Sequence, residues 1–174
     1  NREWANGDRV ELTLPMSLSM RTWQVNKNSV SVDYGPLTLS LKIAEKYVEK
    51  DSRETAIGDS KWQKGADSKK WPTTEIYPDS PWNYSLVLDK REPLKNFKVI
   101  RKSWPADNYP FTATSVPLEV KAIGRPVPEW KIDETGLCGV LPEEDAMKGD
   151  KEEITLIPMG AARLRISAFP NTKE

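Results

Sequence analysis

A pair of carboxylates can hydrolyse a glycosidic bond, one as general acid and the other as base or nucleophile. The densest carboxylate group in this chain is Glu143, Glu144 and Asp145, within "PEEDAMKGDKEE". These residues follow Pro142, where a solvated acidic loop or a short helix N-terminus accommodates them without any chemistry. That plainer reading is preferred. Glu3 and Asp8 flank Trp4 and read as a turn. Cys138, in "GLCGVLP", is the only cysteine. A reactive thiol needs a nearby base or a cationic field. The small and apolar neighbours instead predict a buried thiol packed as a small hydrophobe. The chain has no histidine, which removes Ser-His-Asp triads, Cys-His dyads and His-ligated metals together. One cysteine allows no intrachain disulfide and no thiolate zinc cluster. The expectation is therefore no catalytic residue, no cofactor and no metal.

Seven tryptophans offer a different chemistry, because flat aromatic faces stack on sugar rings. Trp62 and Trp71 fall in a polar stretch and are candidates for glycan contact. Trp130, in "GRPVPEWKID", could form a binding ridge with Arg125. The same segment also reads as a proline-stiffened edge strand that blocks unwanted pairing, and this is the preferred reading. Trp4, Trp23, Trp82 and Trp104 lie at strand edges or beside proline and fit packing over a core edge.

The elements that must position these residues are strands. In "GDRVELTLPMSLSMRTW", Val10, Leu12 and Leu14 alternate with Arg9, Glu11 and Thr13, and Leu18 and Met20 resume after Pro15. Period two predicts a half-buried strand. In "SVSVDYGPLTLSLKI" the alternation runs through Val30, Val32 and Tyr34, breaks at Gly35-Pro36, and resumes through Leu37 to Ile43. Such a break marks a bulge, a bend or a change of sheet. Residues 44–80 change character: "AEKYVEKDSRE" is mildly helical, and the rest is loop with one short helix or a strand around Glu75-Ile76-Tyr77. "WNYSLVLD", "NFKVIRK" and "VPLEVKAIGRP" are further strands. The closing "EEITLIPMGAARLRISAFP" reads as a hairpin around Pro158-Met159-Gly160, with Ile154, Leu156, Leu164, Ile166 and Ala168 inward and Arg163 and Arg165 outward. Fourteen prolines leave few windows of helical length. The expected class is all-β: an antiparallel sandwich or jelly roll.

A chain of 174 residues suffices for one ordinary domain or two small β domains. Lysine plus arginine equals aspartate plus glutamate, which argues against nucleic acid as a partner. No apolar run reaches the ~18 residues of a membrane span. The start lacks an initiator methionine and enters a strand pattern at once, as an excised fragment or a processed product would.

Three stretches taken together, "GDRVELTLPMSLSMRTW" with "VSVDYGPLTLSL", "PLEVKAIGRPVPEWK" and "ITLIPMGAARLRISAFP", resemble the C-terminal β region of glycoside hydrolase family 127-like (β-L-arabinofuranosidase-like) proteins. "YGPLTL" and "LIPMGAARLRISAFP" carry most of the likeness, which fades between about Glu45 and Ser80. In that family an N-terminal (α/α)6 barrel holds an acid/base Glu and a zinc-bound nucleophilic Cys. Nothing in this chain matches those positions, so no catalytic residue is carried over, and Cys138 is not that nucleophile. The resemblance implies a discontinuous sandwich (residues 1–44 plus 151–174) interrupted by a second β-sandwich (45–150), in which Leu12 and Ile166 share a core. It further implies a non-catalytic accessory region of a bacterial enzyme acting on arabinose-containing plant glycans. Such a region packs on the barrel, in the periplasm or outside the cell, with oligomerisation left open. The alternative is a carbohydrate-binding module that uses Trp62, Trp71 or Trp130.

Overall fold

The computed structural model describes residues 2–52, 67, 69–143 and 149–174. The fold is all-β and sandwich-like, as the alternation predicts. Among the described residues, ten strands run in chain order: β1 (Leu18–Trp23), β2 (Ser29–Tyr34), β3 (Leu37–Leu41), β4 (Glu45–Lys50), β5 (Thr73–Pro78), β6 (Tyr84–Leu88), β7 (Lys98–Arg101), β8 (Leu118–Pro126), β9 (Glu152–Pro158) and β10 (Asn171–Lys173). Eight of them form one sheet in the order β1-β2-β3-β9-β8-β6-β10, with β7 also paired to β8. Only the β10–β6 pair is parallel. Strands β4 and β5 form a separate antiparallel ribbon.

The β2–β3 hairpin explains the Gly35-Pro36 break. It is the two-residue connection between β2 and β3, not a bulge. Gly35 has φ +56, and a Cβ there would collide with Met16. Glycine at the first loop position is what such a hairpin turn requires.

The sheet curls until distant strands meet. The β2 and β3 strands pair only next to their turn, at Asp33–Thr38 and Tyr34–Leu37. Further from the turn, residues 166–169 enter between them. Ile166 O accepts from Leu41 N at 2.8 Å, and Phe169 bridges Val30. The chain then ends as β10 along β6. Val30, Leu39, Leu86, Val120, Leu156, Ile166 and Phe169 therefore share one hydrophobic core.

Several expectations need correction. The closing stretch is no hairpin: β9 leads into a 3₁₀ turn, Met159–Ala161, and residues 163–168 form no strand. They wedge between β2 and β3 instead, with Ile166 buried and Arg163 and Arg165 outward as expected. Residues 45–150 do not build a core of their own among the described residues. Strands β6, β7 and β8 are hydrogen-bonded into the main sheet, and their side chains join the same cluster as β2, β3 and β9. Only the β4–β5 ribbon stands apart. "AEKYVEK" is strand β4 rather than helix, because β5 supplies a partner over its whole length. The stretch "GRPVPEWKID" is no edge strand: residues 124–126 end the central strand β8, which has neighbours on both sides, and residues 127–131 form no strand. Residues 8–17 form no strand, and Leu12 is 77% exposed, far from sharing a core with Ile166. Alternation makes a strand only where a partner edge exists. Among the described residues, no strand pairs with this segment.

Candidate functional site

The residues singled out for chemistry are dispersed. Trp130 is 3% exposed, donates Nε1–H to Gly139 O at 2.9 Å and meets Trp82 edge-to-face at 5.2 Å. A ring held this way is a core anchor, so the glycan contact expected of Trp130 is corrected. Trp71 is 72% exposed just ahead of β5. Trp62, Glu144 and Asp145 lie outside the described residues. Glu143 sits on the surface in an ion pair with Lys27 at 2.5 Å. Cys138 is exposed, contrary to the expected buried thiol. Its loop bridges back on Ile132 and turns the apolar side chains of Leu137 and Val140 outward too. Among the described residues, no group of three His, Cys, Asp or Glu side chains could hold a metal ion. Among the described residues, no helix is long and apolar enough to cross a membrane.

The strongest electrostatic cluster is structural. Glu119 on β8 is buried between Lys42, at 2.7 Å, and Lys102, at 2.6 Å. Burial alone would raise its carboxyl pKa, but the two ammonium groups outweigh that and hold it below the usual carboxylate range. Asp33 on β2 accepts a two-pronged bond from Arg21, 2.7 and 3.0 Å, and another from Thr38 at 2.8 Å. The Arg21 bond leads in holding its pKa down. Every partner in these clusters is a protein group, which satisfies a buried charge and leaves nothing for a substrate.

A concave surface of another kind lies where the β2–β3 turn, the long β7–β8 connection and the 3₁₀ turn converge. It is an apolar groove of about 640 Å³. Leu37, Trp104, Phe111 and Met159 form its exposed walls, and Val116 and Leu118 its floor. The lining contains no ionisable side chain. Trp104 is 61% exposed. Its Nε1–H is satisfied by Asn108 Oδ1 at 2.7 Å, so its ring faces remain for apolar contact. The connection is internally hydrogen-bonded. Asn108 adopts φ +55 in a turn closed on Pro105 O, and Ser115 Oγ donates to Tyr109 O at 2.7 Å. Long connections with internal bonding of this sort commonly serve binding.

Met16 packs on Gly35, and Pro36 and Leu37 form the adjoining groove wall. The segment that carries the exposed Val10, Leu12 and Leu14 precedes Met16 in the chain and leads into β1, which pairs only with β2 among the described residues. Scattered exposed leucines are ordinary, but a contiguous exposed apolar surface marks an interaction site. Sequence reasoning missed the groove by treating Trp104 as edge packing. The signal was present in "WPADNYPFTATSVP": aromatics flanked by three prolines fit neither a helix nor a central strand. The groove's lining holds no acid or base of the kind that proton transfer uses. Comparison of the chain with family models, with curated proteins and with solved structures gave no match.

Proposed function

We propose that this chain is the non-catalytic accessory β-sandwich region of a glycoside hydrolase acting on arabinose-containing plant glycans. In this reading it packs on an N-terminal (α/α)6 catalytic barrel, in the periplasm or outside the cell. The observation that supports the reading best is the apolar groove without an ionisable residue, with the exposed apolar side chains of Val10, Leu12 and Leu14 beside it in support. Together they make a docking surface and not a reaction site. The resemblance of "YGPLTL" and "LIPMGAARLRISAFP" to the β-L-arabinofuranosidase-like family supplies the kind of partner. A helical barrel presents apolar ridges that suit such a groove. The exposure of Trp71 favours a second reading, a carbohydrate-binding module.

Two measurements on the isolated chain and a barrel of that family test the proposal. Aryl arabinofuranosides should show no turnover with the chain alone. Titrating the barrel should change the chain's tryptophan emission, and Trp104→Ser should remove most of that change. Turnover by the chain, or emission indifferent to the barrel, would count against the reading.

A further inference from the structure

A second cleft, sharing no lining residue with the groove, opens between the β4–β5 ribbon, the loop 132–138 and the segment 163–166. Its volume is about 800 Å³, within the usual range for small-molecule sites. We infer that this cleft is a binding site for a neutral saccharide, with Tyr77 as the stacking platform. The inference goes beyond the docking role, because it needs neither the groove nor the barrel.

The ribbon builds the platform. Tyr77 is 42% exposed, and Glu75, two residues earlier on β5, shares its face. The Tyr77 hydroxyl donates to Glu75, and Lys50 Nζ lies 2.8 Å from Glu75 Oε2 and 5.9 Å from the Tyr77 ring centroid. The ring is thus held by two charged neighbours instead of swinging freely. Trp82 contributes an apolar base and is itself fixed against Trp130.

The opposite walls are preorganised. Asp133 Oδ1 accepts from Thr135 N, Thr135 Oγ1 and Leu137 N at 2.8, 2.6 and 3.1 Å, which sets the loop. Gly136, at φ +83, completes its turn. Arg165 donates Nε–H to Ala162 O at 2.8 Å, so its guanidinium is anchored at one nitrogen with two further nitrogens beyond it.

The charge balance selects the ligand class. Lys50, Arg163 and Arg165 face Glu75, Asp133 and Glu134, three cations against three anions. Such a lining offers donors and acceptors in equal measure and no net field. A polyhydroxylated ring has the matching chemistry: each hydroxyl donates and accepts, and its C–H faces stack on an aromatic. An anion would meet three carboxylates. A purely apolar ligand would leave the charged groups without their water.

The test uses the isolated chain with three probes: an arabinan trisaccharide, a xylan trisaccharide and a trigalacturonate. Amide NMR shifts at Tyr77, Gly136 and Arg165 should move with a neutral trisaccharide and saturate in the low-millimolar range. Trigalacturonate should bind at least about fivefold more weakly. Tyr77→Ala should weaken binding about fivefold or more while the melting temperature holds. Trp104→Ser, which alters the groove, should leave it unchanged. Overturning results are no shift with either neutral sugar, stronger binding of the acidic one, or binding indifferent to Tyr77→Ala. Failure here with barrel docking intact would sink the saccharide site alone. Loss of docking with sugar binding intact would sink only the accessory reading.

Discussion

Phe169 and Val30 exchange a pair of backbone hydrogen bonds, Val30 N to Phe169 O at 2.8 Å and Phe169 N to Val30 O at 2.9 Å. This bridge joins the C-terminal segment to the second strand and closes the curl of the sheet. Phe169 is fully buried at the centre of the main core. Phe169→Ala is expected to lower stability by about 3–5 kcal/mol, because it leaves a cavity where the two ends of the sheet meet. Chemical denaturation of the two proteins measures this. A loss within about 0.5 kcal/mol would mean that the C-terminal segment is not part of the cooperative unit.

Acid should unfold the protein through Glu119 and Asp33. Both carboxyls have folded-state pKa values below their ordinary 4.5 and 3.8. Their ion pairs therefore contribute full stability above those values and lose it as pH falls through the lower folded-state values. With no histidine in the chain, no side chain of ordinary pKa titrates between pH 5 and 8. Melting temperature should stay nearly flat from pH 8 to 5 and drop below about pH 4.5. Glu119→Gln should cost about 1–3 kcal/mol at pH 7 and flatten the acid limb. A steep fall already at pH 6 would contradict this assignment.

The exposed segment and the core should respond oppositely to the same kind of change. Leu12→Asp places a charge where the side chain already faces water, and is expected to alter stability by no more than about 0.5 kcal/mol. Leu156→Ala, at a fully buried position of β9, should cost about 2–5 kcal/mol. Thermal or urea unfolding compares them. A large loss from Leu12→Asp would show that the segment folds onto the domain.

Cys138 gives a direct probe of its loop. Its thiol is exposed, so a thiol reagent should modify one cysteine per native chain without denaturant. Modification only after unfolding would restore the buried thiol that its apolar neighbours imply.

How far the sequence reveals the fold depends on whether a signal is local. Tyr84, Leu86 and Leu88 alternate on one face and line the core, and β7 and β8 follow the same rule. Val10, Leu12 and Leu14 alternate just as cleanly, yet lie exposed, since pattern specifies which face is apolar and not whether a partner is present. The segment around Ile166 was misread for the opposite reason. Its hydrogen bonds go to Leu41, Ser40 and Val30 across more than a hundred residues, and no local period encodes that. Trp130 looked available beside two prolines and is buried, because Gly139 returns to accept its N–H. Trp104 looked like packing and is the exposed wall of the groove. In both cases the deciding neighbour belongs to another part of the chain.

The proposed docking surface centres on the groove, and thermal melting with a partner tests that most directly. The chain should be melted alone and with a saturating (α/α)6 barrel of the β-L-arabinofuranosidase-like family, beside the Trp104→Ser variant. Binding to the native state alone raises its stability by mass action, by about 2.7 kcal/mol at a hundredfold excess over Kd. The account predicts a rise of several degrees for the native chain and little or none for Trp104→Ser. An unchanged melting temperature for the native chain would contradict it.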